Sequence, residues 1–297
     1  MRIVNMHVPY NYERMQENLV RLLNRYPIAS IESIGQSVLG KLIPHIVIGD
    51  GDKSVHMNAS FHANEWITTN VMMRFIEDYL RAIYYDENLN GISARKLYQD
   101  TSLSIVPMVN PDGVDLVVNG VPCLEPYYST VLEINKECEG FTGWKANIRG
   151  VDLNNQFPAN WAIEKERKIP KRPAPRDYPG QCPLSEPEAI AMVNLTERLQ
   201  FDRVVALHTQ GEEFYWGYMD CEPKDAAHLA SEFERVSGYR AVRTIDSHAG
   251  YKDWFILIYK RPGFTLELGR GINPLPLSMI SSIYKRTLPI LLASMYA

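Results

Sequence analysis

Four residues of this chain have the types and surroundings that metal-assisted hydrolysis needs: His62, Glu65, His208 and Glu267. His62 and Glu65 form an H-x-x-E pair just after the apolar run SVHMNASF. A spacing of three, in the turn that follows a strand, lets both side chains reach one cation. His208 follows the run VVAL, and Glu267 lies near the end of GFTLELG. Two His and one Glu, with water in the fourth position, form a catalytic zinc set. Zinc acidifies that water and polarises a substrate carbonyl. Glu267 is then the general base that takes the water's proton and passes it to the leaving amine.

Each piece alone is weak. H-x-x-E arises often by chance, and a His after a strand is commonly a packed core residue. Glu267 is harder to set aside, because an unpaired carboxylate inside an apolar strand is costly to bury. The motif HExxH is absent, which excludes the thermolysin-like arrangement. Asp152, in RGVDLNNQF, is the kind of carboxylate that fixes the tautomer of a zinc-bound His. Its plainer alternative is an Asx turn. NPDG, at 110–113, reads as a turn after a buried strand and receives no chemistry.

These residues need a scaffold that brings distant strand ends together. Helix and strand patterns alternate along the chain, which predicts an α/β layered fold. Tyr12, Met15, Leu19, Leu22, Leu23 and Tyr26 mark one face of a first helix that Pro27 ends. Extended segments are expected at 31–34, 44–48, 53–61, 103–109, 203–207 and 263–268. Helices are expected at 68–85 and 224–238, and over 280–295 with a kink at Pro289. Residues 119–183 read as one long irregular region, and such loops are often functional. Ser185 and Glu188 read as a capping box. In open α/β sheets, ligands bind beyond the carboxyl ends of strands. His62, His208 and Glu267 are therefore expected around one crevice.

The 297 residues are read as one catalytic domain, 1–297, with 45% hydrophobic and 22% charged residues. Lys and Arg number 31 against 35 Asp and Glu, a net charge of −4. That argues against a nucleic-acid binder working through a basic face. No apolar run approaches the roughly 18 residues of a membrane span. The opening MRIVNMHVPYNYERMQ shows no apolar signal-peptide region. Four Cys are too few for a disulfide scaffold, so a cytoplasmic location is expected. Whether Cys123 and Cys138 pair, and the oligomeric state, stay open.

SFHANEW, NPDG, RGVDLNNQF, ALHTQ and FTLELG, in this order, resemble the zinc carboxypeptidase family over nearly the whole chain. The resemblance implies a mixed, mostly eight-stranded central sheet with helices on both faces. It implies one Zn2+ held by His62, Glu65 and His208, with Glu267 as the catalytic carboxylate and Asp152 as partner of the first zinc His. This chain departs from the family pattern at Asn64, where an Arg is frequent. It departs again at Asn154 and Asn155, where digestive members have Asn-Arg and use that Arg to grip a terminal carboxylate. Arg149 becomes the candidate to polarise the scissile carbonyl. Tyr251 is the tyrosine nearest the expected proton donor.

GRGINPLPL, LHTQGEEFYWGY and GYKDWF are similar to the branch that hydrolyses γ-D-glutamyl–diamino acid bonds in bacterial cell-wall peptides. The expected partner is thus a small muropeptide, with neither nucleic acid nor membrane involved. Soluble muropeptides need no glycan anchor, which suits a chain that opens on the catalytic domain. Lys252, aligned on Asp253-Trp254, falls at the base of the specificity pocket and is expected to pair with the diaminopimelate carboxylate. Glu212 or Glu213 is offered for its ammonium. Asn154 and Asn155 are offered as further substrate contacts. Two other readings compete. One is a zinc amidohydrolase of small N-acyl amino acids, of the aspartoacylase and succinylglutamate desuccinylase type. The other is a non-catalytic muropeptide binder, disfavoured because all four catalytic groups are present.

Overall fold

The computed structural model describes residues 2–136 and 140–297. Helix α1 (Tyr12–Arg25) starts at Asn11, whose side chain accepts from the Arg14 N–H, and stops before Pro27. Strands β1 (Ala29–Gln36), β2 (Leu42–Ile48) and β3 (Lys53–Ala59) precede α2 (Ile67–Tyr84). A small hairpin, β4 (Asn88–Leu89) and β5 (Ile92–Ser93), leads through α3 (Ala94–Asp100) into β6 (Thr101–Val106). Then come α4 (Pro111–Asn119), α5 (Tyr127–Asn135), α6 (Trp161–Arg167) and α7 (Pro187–Leu199). Strand β7 (Arg203–His208), the short β8 (Glu213–Tyr215), α8 (Asp225–Ser237) and β9 (Arg240–Val242) follow. Helix α9 (Tyr251–Tyr259), β10 (Gly263–Glu267) and α10 (Ile280–Tyr296) close the chain.

Eight strands form one mixed sheet in the order β1-β2-β6-β3-β7-β10-β8-β9. Its centre is parallel: β6 with β3, β3 with β7, and β7 with β10. The three strands that precede the metal-competent residues, β3, β7 and β10, are thus neighbours running the same way. Leu207 lies beside Ala59, and His208 beside Glu267. Their carboxyl ends meet at one edge of the sheet without any special loop.

Alternation along the strands sends side chains to two apolar layers. One sheet face, with Met57, Ile105, Leu207 and Leu266, packs against Leu19, Phe75, Phe233 and Leu291 of α1, α2, α8 and α10. The other, with Val106 and Val204, packs against Met192 of α7 and Phe255 of α9. A smaller cluster joins Trp144, Ala146 and Ile148 to Ala63 and Leu116. It fastens the loop at 144–148 to the turn after β3. Helix α10 runs through Pro289.

Three expectations are corrected. Residues 110–113 open α4: Asn110 caps it by accepting from the Gly113 N–H, and Pro111 takes the first turn, where its missing N–H costs nothing. Residues 119–183 hold two helices, α5 and α6, and a short 3-10 turn at Leu153–Asn155. The Ser185–Glu188 capping box does not form. Helix α7 begins at Pro187 without a side-chain cap, and the Ser185 hydroxyl turns to Gln156 and Glu186. Glu188 goes inward, accepting from the Val38 N–H at 3.2 Å and facing the Asn147 amide at 3.4 Å. The Cys123–Cys138 question falls on Cys138, which lies outside the described residues.

Burial pushes the Glu188 carboxyl up to about 8, with Asp112 and Glu186 adding like charge. A carboxyl whose pKa is higher folded than unfolded keeps its proton in the native state alone. Between the ordinary carboxylate range and about 8, raising the pH therefore removes stability. Glu188→Gln is neutral throughout and keeps an acceptor for Val38. We expect its Tm to fall less than the wild type's between pH 5.5 and 8.5, by roughly 2–4 °C for each kcal/mol involved. Calorimetry at both pH values checks this, and parallel curves would remove the assignment.

Candidate metal centre

After β3 the chain turns through Ser60, whose φ of 52° lies in the left-handed region. The Ser60 N–H donates to the Thr68 hydroxyl, which itself donates to the Glu65 carbonyl at 2.7 Å. Asn110 donates to the carbonyls of Phe61 and Ala146 from the other side. So pinned, the turn makes one round of 3-10 helix, Ala63–Glu65, with His62 just ahead of it. That round carries the His62 and Glu65 side chains to the same side. Asn110, given no chemistry from sequence, thus holds the loop that carries them. Its signal was the Asn-Pro helix start.

His62, Glu65 and His208 are all buried, and one potential ligand atom from each lies within 4.8 Å of the others. His62 Nδ1 is 2.9 Å from Glu65 Oε1 and 3.1 Å from His208 Nδ1. His208 Nδ1 is 3.1 Å from Glu65 Oε2. Two imidazole nitrogens and a carboxylate facing one point in a buried site form a group that could hold a metal ion. The other His62 nitrogen, Nε2, faces Asp152 Oδ1 at 3.2 Å, which leaves Nδ1 as the lone-pair atom turned inward. His208 Nε2 is buried without a partner among the described residues, so its Nδ1 is the atom with company. The donor set, two imidazoles and one carboxylate, suits Zn2+.

Without a metal, charge is shared among the side chains themselves. Burial opposes charge on His62, yet Glu65 and Asp152 outweigh it and raise its pKa. Burial lowers that of His208, which its hydrogen bond to Glu65 only partly offsets. Burial also opposes ionisation of Glu65 and Asp152. His62 and His208 nonetheless hold Glu65 below the usual carboxylate range, and Lys145 and His62 hold Asp152 well below it. Lys145 Nζ stands 3.0 Å from Asp152 Oδ2 and 3.4 Å from Asp177. The two carboxylates overcome its burial and keep it charged. Glu267, half-buried, is pushed up to about 8 by burial and then by Glu65.

A cavity of about 470 Å³ opens over these residues, lined by His62, Glu65 and Glu267 together with Asn64, Lys145, Arg176, Tyr215 and Asn273. Glu267, at the end of β10, faces the ligand group from the neighbouring strand. Asn273, from GRGINPLPL, exchanges hydrogen bonds with Thr209 and approaches Glu65 Oε1 at 3.5 Å.

Several sequence candidates fall elsewhere. Arg149 is half exposed and sits 3.5 Å from Glu186, outside the cavity. The chain reverses at 147–151, where the Asn147 N–H donates to the Val151 carbonyl, so Arg149 faces out and Lys145 faces in. Tyr251 is buried in the second core layer, its hydroxyl 2.8 Å from that of Thr196. The tyrosine on the cavity is Tyr215, which donates to Glu213. Lys252 is buried on α9, spent on Asp253 at 2.6 Å and on the Gly217 carbonyl at 2.9 Å. Neither Asn154 nor Asn155 lines the cavity: the Asn154 side chain accepts from the Tyr251 N–H, and the Asn155 N–H donates to the Asp152 carbonyl. Glu212 is paired with Arg270 and Arg286, and Glu213 with Arg240.

A sheet of this order with a His-Glu-His group and a carboxylate at its carboxyl edge defines a zinc metallopeptidase of carboxypeptidase architecture. The chain belongs to the zinc carboxypeptidase family, whose model matches residues 15–288. Family members use one zinc ion. The chain is 50% identical to γ-D-glutamyl-L-diamino acid endopeptidase 1 of Lysinibacillus sphaericus over 295 residues, 99% of this chain and 74% of that protein. It is 47% identical to the uncharacterized protein YqgT of Bacillus subtilis (strain 168) over 97% of this chain and 77% of that one. Among solved structures it is similar in fold to thrombin-activatable fibrinolysis inhibitor, with TM-score 0.74 and 20% identity, covering 98% of this chain and 74% of that one.

Proposed function

We propose that this enzyme hydrolyses the γ-D-glutamyl–diamino acid amide of bacterial cell-wall peptides, with His62, Glu65 and His208 as zinc ligands. The observation that carries the reading is the 50% identity, over 99% of the chain, to an endopeptidase named for that bond. Zinc bound by these residues would supply Lewis-acid activation of a water and of the scissile carbonyl. Glu267 would accept a proton from the attacking water and return it to the departing amine. Asp152 holds His62 in the tautomer that presents Nδ1. Lys145, charged and on the cavity wall, polarises the carbonyl in the place first assigned to Arg149. Tyr215 is the phenol within the cavity.

Incubation with L-Ala-γ-D-Glu-meso-diaminopimelate, an α-linked control tripeptide and an N-acyl amino acid tests the reading by mass spectrometry. Release of diaminopimelate from the first alone supports it. Cleavage of the N-acyl amino acid alone would replace it with the amidohydrolase reading. Lys145→Met is expected to lower kcat by about 10²–10³-fold, as loss of an oxyanion donor does. Lys145→Arg should recover part of that loss, and Arg149→Met should change kcat little. The reverse order would restore Arg149.

We place the activity on soluble muropeptides in the cytoplasm. The exposed free thiol of Cys182 fits a reducing compartment. Among the described residues no helix is long and apolar enough to cross a membrane. Cell fractionation with an antibody against the protein tests the location.

A further inference from the structure

The γ-linkage leaves the glutamyl α-carboxylate free, four carbon–carbon bonds from the scissile carbonyl and so within about 5 Å of it. Diaminopimelate adds a carboxylate at its far end. A cavity that selects such peptides needs a cation for one of them. Lys252 is spent internally, and Lys145 is engaged by two buried or half-buried carboxylates. One further cationic side chain lines the cavity among the described residues, that of Arg176.

Arg176 is held by its backbone rather than left on a loose loop. The Lys145 and Ala146 N–H groups both donate to the Pro175 carbonyl, at 2.8 and 3.0 Å. The Ala174 N–H donates to the Gly150 carbonyl at 3.0 Å. Segment 174–176 is thereby laid along the chain that carries Lys145, and Pro173 and Pro175 stiffen it. Asp177 Oδ2 accepts from Arg176 Nε at 3.2 Å, while its Oδ1 faces Lys145 and Lys168. Among the described residues nothing engages the two terminal nitrogens of Arg176. With Nε fixed, they form the fork that takes a carboxylate bidentately.

We propose that Arg176 is the specificity residue that reads the glutamyl α-carboxylate or the distal diaminopimelate carboxylate, rather than the C-terminal α-carboxylate that all such tripeptides share. This is the role expected from sequence of Lys252. The assignment rests on the muropeptide reading above. Wild type, Arg176→Met and Arg176→Lys are compared on L-Ala-γ-D-Glu-meso-diaminopimelate, on its isoglutamine form, and on the lysine analogue. The second lacks the glutamyl carboxylate and the third the distal one. Dissociation constants for the same peptides are measured by calorimetry in the Glu267→Gln background. Arg176→Met should lose about 10–150-fold in kcat/KM on the first peptide, chiefly through KM. It should lose far less on whichever modified peptide lacks the carboxylate that Arg176 reads. Arg176→Lys should bind the first peptide more tightly than Arg176→Met but less tightly than wild type. Equal losses on all three peptides, or none on any, would overturn the assignment. Arg176-dependent binding without turnover would uphold it while removing the hydrolytic reading. Neither binding nor turnover of any peptide would remove both.

Discussion

Glu267→Gln is expected to lower kcat on the cell-wall tripeptide by about 10²–10⁴-fold while leaving zinc content at one per chain. Glu267 ends β10 beside His208, on the strand next to the ligand strand, and lines the same cavity. It makes no hydrogen bond to His62, Glu65 or His208 among the described residues, so the amide should not disturb that group. The amide is nearly isosteric, keeps an acceptor oxygen, and cannot take a proton at working pH. The variant also removes one of the clustered carboxylates, the others being Glu65 and Glu213. Substrate affinity should therefore hold or improve, placing the loss in kcat rather than KM. Metal analysis of the purified variant and steady-state kinetics decide the matter. A Gln variant within a few-fold of wild type would refute the base assignment, and one that has lost its zinc would make Glu267 a ligand.

The convergence of the metal-competent residues was more legible than the strand neighbours that produce it. His62, Glu65, His208 and Glu267 each follow or end an apolar run, because a buried parallel strand is apolar along its length and its carboxyl end opens on the crevice. That pattern survives in a single sequence. Which strands are neighbours does not, and β6 lies between β2 and β3 although it comes later in the chain. Helix α9 was missed because Tyr251 to Ile256 are all buried, and its two charged residues, Lys252 and Asp253, are adjacent and buried as a pair rather than spaced along an exposed face. The same burial turned Tyr251 and Lys252 inward, away from the cavity. Strands β8 and β9, three residues each, are too short to show alternation. That Lys145 rather than Arg149 lines the cavity depends on one chain reversal at 147–151, and four residues of sequence distance carry no hint of its direction. Arg176 was hidden in a Pro-rich stretch whose order comes from hydrogen bonds to distant backbone.

Removing a ligand should have the second large effect, and it separates the metal from the fold. His208→Ala deletes one of two imidazoles and leaves Glu65 with His62 alone. Zinc affinity should fall by more than the roughly 10–100-fold that losing an outer partner such as Asp152 costs. Turnover should drop to background. Because His62, Glu65 and His208 all face one point, a cation bound there gains three ligand atoms at once. Zinc should therefore raise the wild-type Tm: at 100 times its Kd a ligand stabilises by about 2.7 kcal/mol. At roughly 2–4 °C per kcal/mol, that is a rise of several degrees. In His208→Ala the rise should nearly vanish, while the metal-free Tm stays close to that of the metal-free wild type. The carboxyl-edge position of His208 supports this, since the strand's pairing with β3 and β10 is made by backbone groups that Ala retains. Titration of chelator-stripped protein with zinc, followed by calorimetry, reads both quantities. A His208→Ala protein that binds zinc as tightly as wild type would dissolve the proposed site. A variant that unfolds at room temperature without metal would instead make His208 a structural residue of β7.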